Sequence, residues 1–97
     1  MKRFYSGIIL NEKELLESNS NRIELEYYKL SKKDKKNNKI YGIEIIKKEY
    51  IGKKKTKEKR NIENLTSDEN IINKVLYVLR KNTVTPIGLN DALQEVL

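Results

Sequence analysis

The chain contains no cysteine, no histidine and no tryptophan, and only one proline and four glycines in 97 residues. Without cysteine there is no disulfide and no thiolate nucleophile. Without histidine as well, a zinc site of the usual Cys/His kind is closed. Histidine is also the side chain whose unperturbed pKa lies nearest neutrality, so acid–base chemistry would fall to carboxylates, lysine or tyrosine. Phosphate cradles need closely spaced glycines leading into a helix, and Gly7, Gly42, Gly52 and Gly88 stand apart. No run approaches the ~20 apolar residues that span a bilayer. The apolar run behind the basic start covers only residues 7–10, short of a secretory signal core. The expectation is a cytoplasmic protein.

The acids complete the exclusions. A calcium loop needs acids at alternate positions around a glycine turn, whereas Asp34 sits among lysines and Asp68-Glu69 suits the start of a helix. Glu24, Glu26, Glu44 and Glu49 alternate with apolar residues, which assigns them to a solvated sheet face rather than to a catalytic pair. No metal, no cofactor and no enzymatic activity are expected.

What the chain does have is charge. Charged residues make up 36% and hydrophobic ones 37%, enough for one thin core beneath a heavily charged surface. The net charge of +7 is unevenly placed: residues 31–60 carry 13 Lys/Arg against 4 Asp/Glu, residues 1–30 carry 5 and 5, and residues 61–97 carry 3 and 5. Such a middle segment could be a footprint for an anionic partner. Composition is the preferred account, since lysine far outnumbers arginine and Lys-rich hairpin tips also protect sheet edges from aggregation.

Residues 40–52, I-Y-G-I-E-I-I-K-K-E-Y-I-G, organise the rest. Their β-branched and aromatic content suits a pleated surface, with Tyr41, Ile43 and Ile45 on one face of a central strand. Residues 4–10 make a first strand, in which Gly7 marks a bulge or close approach. Residues 11–21 turn polar around Leu15 and Leu16, as one helical turn or a ragged hairpin, with a turn signal at 19–21. Residues 22–30 alternate Ile23, Leu25 and Tyr27 with Glu24 and Glu26, a half-buried strand. Residues 31–39 form a solvated loop that makes pairing with the central strand antiparallel. Residues 55–62 return as a charged edge strand or remain a loop.

After residue 65 the period changes. Thr66-Ser67-Asp68-Glu69 reads as a capping box, with Thr66 as the cap. Ile72, Val75, Leu76 and Leu79 follow at i, i+3, i+4, i+7, and Asn82 stands behind the cationic last turn. Pro86 or a position near Leu89 begins a second helix, whose stripe is Leu89, Ala92, Leu93 and Val96 with Leu97 beside it. The sum is a single domain over 1–97, mainly β with Lys-rich hairpin loops over 1–65 and helical over 66–97. Its fold class is α+β and two-layer, an antiparallel sheet of three to four strands with both helices on one face.

Three stretches carry a resemblance: Y-G-I-E-I at residues 41–45, I-x-N-L-T-x-D-E at 62–69 and N-T-V-T-P-I-G-L at 82–89. In them the chain resembles a set of small uncharacterised proteins of clostridia and related bacteria, grouped as a domain of unknown function. The resemblance implies a cytoplasmic bacterial setting and no particular activity. Gly88 departs from it, standing where similar proteins carry a polar or aromatic residue, which loosens the start of the last helix.

Two binding readings remain. Helices on one face leave the other uncovered, where Tyr28, Leu30, Ile46 and Tyr50, with Ile40, would offer a protein partner or a second copy an apolar–aromatic surface. The alternative is nucleic acid held weakly and without sequence preference by Lys32, Lys33, Lys53, Lys54, Lys55, Lys57 and Arg60. Tyr28 and Tyr50 would supply stacking faces, while Tyr27 and Tyr41 fall on the core side. The first reading is preferred, because arginine, the usual reader of phosphates, is scarce.

Overall fold

The computed structural model describes residues 1–11 and 21–96. Four strands, β1 (Lys2–Asn11), β2 (Arg22–Lys33), β3 (Lys39–Ile51) and β4 (Lys54–Thr66), precede two helices, α1 (Glu69–Lys81) and α2 (Leu89–Val96). The strands pair antiparallel in the order β1-β2-β3-β4, a four-stranded meander, so the fold is α+β as the periodicity implies. The segment around Leu15 and Leu16, most of the turn expected at 19–21, and Leu97 lie outside the described residues.

Alternation along β2 and β3 decides which face is buried. Leu25, Tyr27, Tyr41, Ile43 and Ile45 point to one side and meet Ile72, Val75, Leu76 and Leu79 of α1 and Leu89 and Leu93 of α2. Each buried aliphatic side chain contributes roughly 1.5–3 kcal/mol relative to exposure. This single cluster is the core. Lys29, on the same face, ties sheet to helix by donating to Glu69 Oε2 (2.8 Å) and Asn73 Oδ1 (3.0 Å).

The turns follow local chemistry. β2 runs three residues past Leu30, because ladder bonds are made by backbone and the lysines need only point to solvent; the loop shrinks to residues 34–38. The Asp34 carboxylate accepts from the backbone N–H of Lys36 and Asn38, both at 2.9 Å, and Asn37 takes a left-handed φ of 68°. Between β3 and β4 the turn is two residues, with Gly52 at φ 58° in the first position, as a type II′ turn requires.

β4 is the whole of residues 54–66 rather than 55–62, with a bulge near its end. Tyr41 pairs with Thr66 and Ile43 with Ile62, so Glu63, Asn64 and Leu65 face Gly42. The bulged backbone comes so close that a Cβ on Gly42 would fall on the carbonyl oxygen of Ile62 and lie 2.9 Å from Glu63 Cα. Asn64 takes the left-handed φ of 59° there.

Because Thr66 is still in the sheet, it does not cap α1. Asp68 does, accepting from the Asn70 N–H at 2.9 Å, while the Thr66 hydroxyl accepts from the Asp68 N–H. At the other end the left-handed residue is Thr83 (φ 52°), not Asn82. Thr83 N–H donates to Arg80 O and Val84 N–H to Leu79 O, the two bonds of a Schellman motif. A turn over residues 85–88 then leads into α2 at Leu89, the later of the two expected starts.

Candidate functional site

The sheet presents three surfaces outside the core: the face away from the helices, the β1 edge and the β4 edge. All four expected protein-contact residues lie on the open face, since Tyr28 pairs with Glu44, Leu30 with Gly42, Ile46 with Glu26 and Tyr50 with Arg22. They do not form an exposed apolar patch. Ile46 is 5% exposed, and Tyr28, Leu30, Tyr50 and Ile40 are half-buried. Charged neighbours share their face: Lys48 pairs with Glu26 at 3.4 Å and Arg22 with Glu24 at 2.7 Å, and long stems of this kind shield apolar surface while their heads stay in water.

Near the middle of that face sits a buried carboxylate, Glu44, 4% exposed. Its Oε2 accepts from Lys2 Nζ at 2.8 Å and its Oε1 from Asn61 Nδ2 at 3.4 Å. Burial pushes the carboxyl up, but the bonds from Lys2 and Asn61 outweigh it and leave the group below its ordinary value. Lys2 also lies 4.7 Å from the Tyr28 ring, whose other neighbour is Phe4 at 5.6 Å. Both Glu44 oxygens are engaged, and no buried side-chain polar atom among the described residues lacks a partner, so the cluster reads as a fastening between β1, β3 and β4 rather than as chemistry. Beyond it a shallow pocket of about 220 Å³ is lined by Met1, Leu30, Ile40 and Gly42.

The two edges differ sharply. β4 carries Lys54, Lys55, Lys57, Lys59 and Arg60, all exposed. β1 carries Lys2 and Arg3 and then no charge from Phe4 through Asn11. Phe4 (53% exposed), Tyr5 (39%) and Ile9 (60%) stand out from it, and the ladder to β2 skips Tyr5 as a bulge. Sequence reasoning placed this strand but overlooked its edge. The uncharged run of residues 4–11 was the available signal, and its meaning depended on knowing that β1 is outermost.

The expected nucleic-acid residues divide. Lys32 and Lys33 lie at the β2–β3 end, and Lys53, Lys54, Lys55 and Lys57 at the β3–β4 end of a molecule 49 Å long. They form two basic poles. Among the described residues no group of three acids, histidines or cysteines stands close enough to hold a metal ion, and no helix is long and apolar enough to cross a membrane.

Compared with known proteins, residues 7–97 match a family of unknown function (DUF6514). No curated protein and no solved structure matches the chain.

Proposed function

The chain belongs to that family, and from this premise we propose that it is a non-enzymatic protein-binding module whose site is the outer edge of β1 over residues 4–10. The observation that carries the reading is the contrast between its edges. A sheet edge is a row of unpaired backbone donors and acceptors, and proteins commonly guard it with lysines. β4 is guarded in this way, whereas residues 4–11 of β1 are uncharged and hold three of the exposed large hydrophobics.

An extended segment of another protein would add to β1 as a fifth strand. Its backbone would supply affinity, and alternate side chains packing beside Phe4 and Ile9 on the open face would supply preference. Ordering a flexible peptide offsets much of that gain, so affinity on the order of micromolar is expected. The partner would be uncharged in its central residues.

The test is selection of extended peptides from a random displayed library, followed by hydrogen exchange on the complex. The expected outcome is added protection of the backbone amides of residues 4–10, abolished by Ile9→Lys. Protection confined to β4 or the helices, or binding indifferent to Ile9→Lys, would remove the reading.

A further inference from the structure

The lysines of β4 are not distributed as composition alone would place them. Its residues alternate between the two faces, and on the helix side Lys54, Thr56, Glu58 and Arg60 mix both signs. On the open side Lys55, Lys57 and Lys59 are all cations. None of the three takes part in an ion pair among the described residues, whereas the neighbouring Arg22 and Lys48 do. Lys57 directly faces Lys48 across the ladder, a like-charge arrangement that works against the sheet. Solubility would be served as well by either face.

The row also ends on an aromatic ring. Tyr50 pairs with Lys55 across the ladder and with Arg22 on its other side. The Lys55 ammonium lies 5.6 Å from its ring centroid and the Arg22 guanidinium 6.0 Å. Three cations at every second residue of one strand span roughly 13 Å on a nearly straight line, with a half-buried ring at one end.

We propose that this face binds single-stranded nucleic acid, its backbone running along β4 over Lys55, Lys57 and Lys59 and one base resting on Tyr50. A single strand fits because it can lay successive phosphates along a line of cations while turning an unstacked base onto an aromatic platform. A duplex keeps its bases stacked and would leave Tyr50 unused. The site is separate from the β1 edge, lying at the opposite side of the sheet, and sequence preference is not expected, since lysine is a point charge without a bidentate fork.

Fluorescence anisotropy with labelled 20-residue oligo-dT and oligo-U and with a 20-base-pair duplex tests this at about 50 and 200 mM salt. Expected are tighter binding of the single strands than of the duplex and weakening as salt rises. Changing Lys55, Lys57 and Lys59 together to Gln should lower affinity at least tenfold and flatten the log–log salt slope by about 2, at roughly 0.7 per phosphate contact. The control triple of Lys53→Gln, Lys54→Gln and Arg60→Gln removes the same charge outside the row and should change affinity less than threefold. Tyr50→Leu should weaken binding with no change in salt slope. Equal losses from the two triples would reduce the effect to net charge and overturn the proposal. So would duplex binding as tight as single-strand binding, or no binding at the lower salt.

Discussion

The phenol of Tyr27, at the centre of the sheet, donates a 2.8 Å hydrogen bond to the carbonyl of Val84, in the turn that follows α1. One bond thus joins β2 to the connector between the two helices. Burial pushes this phenol up to about 12, against the opposing charge of Arg80. An exposed tyrosine titrates near 10. As pH rises from 10 to 12 the unfolded chain releases a proton that the native one keeps, and this group costs the fold roughly 2–3 kcal/mol over that interval. Tyr27→Phe should therefore lose about 1–2 kcal/mol at pH 7, where the Val84 carbonyl loses its donor, yet lose less than the wild type between pH 10 and 12. Urea unfolding at pH 7 and pH 11 checks both, and parallel losses in the two proteins would disprove the assignment.

Thr83 occupies the position of a helix-ending motif that glycine usually fills. Its φ of 52° is left-handed and its side chain is β-branched, a pairing that crowds Cβ against the backbone. Thr83→Gly should keep both Schellman bonds and relieve that crowding. Part of the gain is offset by the greater freedom of glycine in the unfolded chain. A net stabilisation of about 0.5–1 kcal/mol is expected, seen as a higher urea midpoint with an unchanged slope.

The architecture was legible because two periods are written plainly: Ile23, Leu25 and Tyr27 alternate, and Ile72, Val75, Leu76 and Leu79 return every third or fourth residue. What escaped depends on partners distant in the chain. Thr66 looks like a helix cap, but the ladder to Tyr41 keeps it in the sheet and moves the cap to Asp68. Residues 31–33 look like a loop because their side chains are polar, while their backbone pairs with residues 39–41. Tyr28, Leu30, Ile46 and Tyr50 share one face, as alternation implies, but counting faces says nothing of the ion-paired side chains that share it. The uncharged edge of β1 required knowing which strands are outermost, and single-strand patterning does not carry that.

Glu44 and Lys2 make acid stability diagnostic. In the wild type the Glu44 carboxyl lies below its ordinary value, so its contribution is present above the usual carboxylate range and is lost as pH falls through the depressed value. Lys2→Met removes the closer of the two bonds that offset burial. The carboxyl should then rise above its ordinary value, reversing the sign: the contribution of Glu44 is then present at low pH and is lost as pH rises through the raised value. Urea midpoints measured from pH 3 to pH 7 should show the variant falling progressively behind the wild type as pH increases. Curves separated by a constant offset would mean that Lys2 does not control this titration.

Lys57 separates stability from binding. It faces Lys48, which is already held by Glu26 at 3.4 Å on the neighbouring strand. Lys57→Glu places an acid opposite that ammonium and between Lys55 and Lys59, turning repulsion into attraction. The urea midpoint should rise by roughly 0.1–0.4 M at low salt. The gain should fade toward 1 M salt, where screening shortens to about 3 Å. The same change breaks the row of cations in its middle, so affinity for oligo-dT should fall even as the fold becomes more stable. A residue kept only for solubility would show the first effect without the second, and that result would return the lysines of β4 to edge protection.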